Sequence, residues 1–285
     1  MKAVKLYFKT PLRSGEAGLG LEGVAEVIHS DTLFAAIANA LIALNEDVNE
    51  FIEKVKAGEI KLSSCFPFNG DTYYLPAPQI PVEHKIGNFV SKETFEKIIS
   101  GDNELKLEKE ELDFIEKYEV PKVSLDRSTS NSNIYYMSAT RFREGAGLYF
   151  VVDGYCKLLD HALKYLGDDG IGGKKTWGLG RFEHKAFNFT IKSKGDKFVT
   201  LSLTYPTNKD SVMYWKPVIR SGWVNSKNGS FRKPKLIMAL EGSIFNEYEE
   251  GRLVDLDEAD GNFSGKVGHK VYANGKSFLI PAVIQ

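Results

Sequence analysis

Residues 170–183, GIGGKKTWGLGRFE, place five glycines, three basic residues and a tryptophan within fourteen positions. Glycines let backbone N–H groups close on phosphate oxygens, and Lys174, Lys175 and Arg181 bring positive charge to the same short stretch. Such a mobile, cationic segment suits capture of an anion. Its spacing argues against a nucleotide-hydrolysing site. GGKKT does not satisfy G-x-x-x-x-G-K-[ST], and no glycine completes G-x-G-x-x-G from Gly170. A plain turn between a helix and a strand would account for two or three of the glycines, but not for Trp177 or the cations. Contact with phosphate or RNA through Gly172, Gly173, Lys174, Lys175, Trp177 and Arg181 is therefore the preferred reading.

His29 opens a second possibility, because a histidine at a helix start can act as a general acid or base. Strand cleavage also needs a group to stabilise charge growing on phosphorus, and none stands at matching spacing. His29 and Ser30 could instead finish the helix cap, or hydrogen-bond a phosphate at the positive helix end. Arg141 and Arg143 alternate along a strand and so share a face, with Tyr135 and Tyr136 nearby and Arg127 across a polar loop. RSGWV, residues 220–224, sets Arg220 beside the small pair Ser221 and Gly222; Trp223 is left open between core and stacking. His84, His161, His184 and His269 form no HxxxH or HxH pattern, and Cys65 and Cys156 form no CxxC. No metal and no cofactor is expected, and the cysteine usage suits a reducing compartment.

These groups need a scaffold. At 285 residues, 42% hydrophobic and 26% charged, the chain can build a substantial core, and two domains are expected. No apolar run approaches the roughly 20 residues that cross a bilayer, and the start lacks a signal-peptide pattern, so a cytoplasmic protein without membrane contact is expected. The net charge of −1 argues mildly against bulk electrostatic coating of nucleic acid, but its distribution is uneven. Residues 91–119 carry ten acids against five lysines, whereas residues 122–181 carry nine Lys and Arg against six acids.

Strand patterns fall at residues 3–8, 65–68, 72–75, 134–142 and 148–153, with the last two expected as a pair. Residues 30–44 and 155–166 have helical spacing, the first with Leu33, Phe34, Ile37, Leu41 and Leu44 on one face. Residues 91–119 suit a solvated helix pair inserted at the surface. LYF occurs at residues 6–8 and 148–150, each on a strand leading to a helix, which suggests a duplicated strand-helix-strand-strand unit. Beyond residue 182 nearly everything is strand. The boundary is expected near residue 145, giving domains 1–145 and 146–285, the latter with the glycine-rich loop 170–181.

GIGGKKTWGLGRFE resembles the glycine-rich loop of the RAMP superfamily of CRISPR proteins. EVIHSDTLFAAIANAL (26–41), IRSGWV (219–224), KPKLIMALEGSIF (233–245) and HKVYANGKSFLIP (269–281) follow in the order found in the fourth subunit of type III-A Csm complexes. The resemblance implies an α+β fold of two tandem ferredoxin-like (RRM-type) domains, antiparallel sheets with packed helices. It also implies a non-catalytic role in holding the 5′ tag of a CRISPR guide RNA. Implied partners are the large polymerase/cyclase-like subunit and the backbone RAMP subunit of the filament. It raises Arg127, on a loop expected along the guide, and Ser221 and Gly222, expected to approach a tag nucleotide closely. The alternative is a metal-independent endoribonuclease that processes precursor guide RNA through His29.

Overall fold

The structure, a computed structural model, describes residues 1–15, 23–81, 87–102, 109–125 and 132–284. The chain begins with β1 (Lys2–Phe8), α1 (Ser30–Ala43), α2 (Val48–Lys56), β2 (Lys61–Leu62), β3 (Phe66–Asn69), β4 (Thr72–Pro76) and β5 (Phe89–Ser91). It continues through α3 (Lys92–Ile99), β6 (Ile115–Leu125), β7 (Ser132–Phe142), β8 (Ala146–Asp153), α4 (Lys157–Asp169) and β9 (Phe182–Asn188). One antiparallel sheet runs in the order β5-β4-β3-β8-β1-β9, with β2 also on β8.

AGLYFVVD, the sequence of β8, has no charged residue before Asp153, and the strand is buried on both faces. Its period of two divides the core. Leu148, Phe150 and Val152 join Val4 and Leu6 against α1 and α4. Tyr149 and Val151 join Ala3 on the other face, against Val199, Leu201, Ile244, Phe278 and Ile280 from the later part of the chain.

That later part contains β10 (Lys197–Thr200), β11 (Val212–Tyr214), β12 (Pro217–Arg220), β13 (Trp223–Ser226), β14 (Gly229–Arg232), β15 (Leu236–Ala239) and β16 (Ile244–Phe245). It ends with β17 (Gly251–Asp255), the short α5 (Asp257–Asp260) and α6 (Phe263–Val267), β18 (Tyr272–Lys276) and β19 (Leu279–Ala282). The sheet β11-β16-β10-β19 covers the second face of the first sheet, and β12–β15, β13–β14 and β17–β18 form separate two-stranded pairs. The architecture is α+β with antiparallel sheets, as expected.

Four expectations are corrected. A boundary at residue 145 would cut through the first sheet, because β8 pairs with β1 and β3 while β9 pairs with β1. The two LYF segments are adjacent, with Leu6 opposite Leu148, so they belong to one sheet rather than to equivalent strands of two domains. Residues 91–119 are not a helix pair: α3 is helical, but residue 115 begins β6, which pairs with β7 from Ile115↔Phe142 to Leu125↔Ser132. The expected pairing of residues 134–142 with 148–153 does not form. β1 and β3 already flank β8 on both sides, so residues 134–142 take 115–125 as their partner instead. Among the described residues no helix is long and apolar enough to cross a membrane.

Because both sheets share a core, Phe66→Ala, on the face that the C-terminal sheet covers, should destabilise the whole chain by about 3–5 kcal/mol. Chemical denaturation followed by circular dichroism and fluorescence should show one transition moved to lower denaturant. Two separate transitions, with only the first moved, would contradict the shared core.

Candidate nucleic-acid interface

The first turn of α1 is held by side chains from distant parts of the chain. His29, not Ser30, is the N-cap residue, and its side chain makes no capping hydrogen bond. Its Nδ1 lies 2.8 Å from Glu241 Oε1, and the same carboxylate accepts a hydrogen bond from Ser64 Oγ. Ser30 is the first helical residue and fully buried: its N–H donates to Ser64 Oγ at 2.8 Å, and its Oγ accepts from the Leu203 N–H at 3.0 Å. Asp31, next along, takes a two-pronged contact from Arg220, with Nε and Nη2 each 2.9 Å from a carboxylate oxygen. Arg220 also reaches Thr32 Oγ1 at 3.2 Å. His29, Ser30 and Arg220 are thus held together by partners from both ends of the chain.

Charge pairing decides the protonation of this cluster. Burial alone would lower the His29 pKa, but the charge and hydrogen bond of Glu241 outweigh it, so the imidazolium is favoured above its ordinary 6.5. Burial would raise Glu241 and Asp31; His29 and Ser64 bring the first below its usual range, and Arg220 brings the second below. Lys233 lies close by and is pushed down by burial.

The glycine loop is built rather than mobile, contrary to its composition. The Ile171 N–H donates to Gly180 O at 2.9 Å, Gly180 to Pro11 O at 2.9 Å, and Gly173 to Arg13 O at 2.7 Å. Gly172 and Gly180 adopt φ of 91° and 78°, and a Cβ there would lie 2.5 Å from Arg13 O and 2.0 Å from Ile171 O respectively. These glycines serve close backbone approach within the protein. The amides of Gly173 and Gly180 are engaged there, so the loop's offering to an anion is its side chains rather than a row of glycine N–H groups.

Those side chains are preorganised. Trp177 carries two ammonium groups over its ring, Lys174 at 4.7 Å and Lys122 of β6 at 4.9 Å from the centroid. Lys175 pairs with Asp169. Arg181 is exposed, and its guanidinium has no hydrogen-bond or ion-pair partner among the described residues. Arg143 is paired with Asp113 and Glu116, each at 3.2 Å, and Arg141 lies over the Tyr118 ring at 5.1 Å. Arg127 and His84 lie outside the described residues. Ser221 and Gly222 are half-buried and follow β12 into the hairpin that carries Trp223, which is 67% exposed.

A cleft of about 500 Å³ gathers part of this set, lined among others by Arg13, Asn39, Gly172, Gly173, Lys175 and Trp223. Sequence reasoning overlooked Arg13, Asn39, Lys122 and Glu241. Glu241 left one usable signal: it is a lone carboxylate in LIMALEGSIF, where a burying strand pattern predicts either a partner or a turn. Arg13, whose Nη1 donates to Ser138 O at 2.6 Å, left none.

Comparison with known proteins places this geometry in a class. Residues 5–183 match the RAMP superfamily, and residues 193–282 match the CRISPR Csm4 C-terminal domain. The CRISPR system Cms protein Csm4 of Thermococcus onnurineus is 32% identical over 302 aligned positions, spanning 97% of this chain and 94% of that protein. Hence the chain belongs to the Csm4 family of RAMP proteins. A solved Csm1-Csm4 cassette in complex with AMPPNP superposes with a TM-score of 0.69 at 25% identity, covering 100% of this chain and 98% of that one. A solved Csm3-Csm4 subcomplex from a type III-A CRISPR-Cas interference complex shares the fold at a TM-score of 0.70 and 20% identity, with 100% of both chains covered.

The His29–Glu241 pair gives stability a defined pH dependence. A histidine raised in the folded state stabilises fully below its unfolded value of about 6.5 and loses that contribution as pH rises through the folded value. Thermal midpoints of the wild type should therefore fall as pH is raised from about 6.5, and His29→Gln should remove this part of the slope. An unchanged slope in His29→Gln would refute the charged pairing.

Proposed function

We propose that this chain holds the 5′ tag of a CRISPR guide RNA without cleaving it, and bridges the large polymerase/cyclase-like subunit to the backbone RAMP subunit. The cleft carries the reading: a concave site between α1 and the glycine loop, lined by Arg13, Lys175 and Trp223 and continued along that loop by Trp177 with Lys174 and Lys122 over its ring, offers cations and aromatic rings to an unpaired strand. The bridging role is supported by the two solved assemblies, in which Csm4 relatives stand with Csm1 and with Csm3 respectively. A cytoplasmic location follows from the same reading.

The order of β1, α1, β3, β8, α4 and β9, with spatial order β3-β8-β1-β9, supports a first ferredoxin-like unit. It reaches residue 188 rather than 145. The C-terminal sheet β11-β16-β10-β19 is the candidate second unit, with helices reduced to single turns. A scaffold rather than an endoribonuclease is supported by His29, whose side chain is 13% exposed and held by the Glu241 carboxylate. A general base needs access to the hydroxyl it deprotonates.

Fluorescence anisotropy of the full chain with tagged guide RNA, across a salt series, tests the interface. Replacing Lys174, Lys175 and Arg181 together by alanine should weaken binding and reduce the slope of log K against log salt by about 2, at ~0.7 per lost single-strand phosphate contact. Equal affinity and equal slope would remove the loop from the interface. Incubation with precursor guide RNA and a chelator tests the non-catalytic assignment. No product is expected, and a product abolished by His29→Ala would establish the endoribonuclease instead.

A further inference from the structure

The three tryptophans differ in what their rings can still do. Trp177 already has Lys174 and Lys122 within cation–π distance. Trp215, 42% exposed, is not part of the cleft, whereas Trp223 is 67% exposed and lines it. A large exposed ring in a concave site whose lining includes Arg13 and Lys175 is an arrangement that can stack on a base. The α1 side of the same cleft presents Thr32, Ala35, Ala36 and Asn39. Its alanines leave room for a flat ring, and its volume of about 500 Å³ falls in the ~300–1,000 Å³ typical of small-molecule sites.

Asn39 supplies the polar part. Its Nδ2 donates to Ala35 O at 2.7 Å. A carbonyl can only accept, so the amide has one orientation: Oδ1 remains an acceptor, and the second Nδ2 hydrogen remains a donor. Thr32 differs, because its hydroxyl donates to Asp31 at 3.1 Å and accepts from Arg220 at 3.2 Å. Asn39 is therefore the cleft side chain on α1 with an adjacent donor and acceptor to give. That pair matches the neighbouring acceptor and donor on the edge of a nucleobase.

We infer that Trp223 and Asn39 form a slot for a single unpaired nucleobase of the bound RNA, Trp223 stacking on its face and Asn39 bonding its edge. The slot rests on the tag-binding reading above and adds to it the residues that hold one base. Its position is set by the buried pair Asp31–Arg220, since Trp223 follows Arg220 by three residues and Thr32 follows Asp31 directly.

The test uses the full chain and guide RNAs carrying 2-aminopurine at each tag position in turn. One position should be quenched on binding to the wild type. Trp223→Leu should abolish that quench and weaken binding by about 5–150-fold, the equivalent of ~1–3 kcal/mol per stacked base. Trp223→Phe should retain part of both, and Trp215→Leu should leave the quench intact. An abasic nucleotide at the quenched position should lower wild-type affinity to that of Trp223→Leu, with no further loss when the two are combined. Asn39→Ala should weaken binding of the RNA with a base but not of the abasic one. Trp223 is exposed, so an unchanged thermal midpoint separates lost stacking from lost folding. If tagged RNA binds but no position depends on Trp223, the slot is wrong and the tag reading stands. If the wild type binds no tagged RNA, both fall.

Discussion

The start of α1 is where the two ends of the chain are pinned to each other. Glu241 and His29 form one buried pair, Arg220 and Asp31 another, and Ser30 and Ser64 tie the backbone between them. Burying four charged groups is unfavourable unless each is matched, and a shift of either half would leave unpaired charge in a low-dielectric region. The cluster therefore defines one relative placement of α1 and the C-terminal strands. Everything proposed for the cleft inherits that placement, because α1 forms one of its sides and the hairpin after Arg220 delivers Trp223 to it.

The sheet supplies the second constraint. A strand such as β8, apolar on both faces, cannot remain at a surface, and the C-terminal sheet covers what α1 and α4 leave open. The interface between the parts is consequently a core rather than a seam. The cationic loop is placed by the same packing: α4 ends where β9 must return beside β1, and glycines allow the backbone of residues 170–180 to fold against residues 11–13. A segment that composition marks as loose is held by hydrogen bonds at both margins.

Electrostatics follow from local pairing rather than from the sum of charges. With a net charge of −1, attraction of an RNA strand depends on where cations are left available. Arg220 and Arg143 are engaged with carboxylates, Lys175 shares Asp169, and Lys174 and Lys122 lie over Trp177 with no carboxylate between them among the described residues. Cations already oriented by a ring lose less freedom on meeting a phosphate than free lysines would, which favours binding by a preformed surface.

Much of the secondary structure could be read from residue order alone. The helical spacing of residues 30–44 and the strand patterns at 65–68, 72–75 and 148–153 are local signals, and α1, β3, β4 and β8 form at those places to within one or two residues. Ordered segments from the first helix to the last strand also sufficed to identify the family. Long-range choices were not legible. Whether residues 134–142 pair with 115–125 or with 148–153 depends on which sheet edge is already occupied, and β1 and β3 take both sides of β8. His29 looked free because its partner, Glu241, stands 212 positions away. Local patterns determine which elements a chain can form; the burial of charge and apolar faces, possible only once distant segments meet, decides which side chains remain for a ligand.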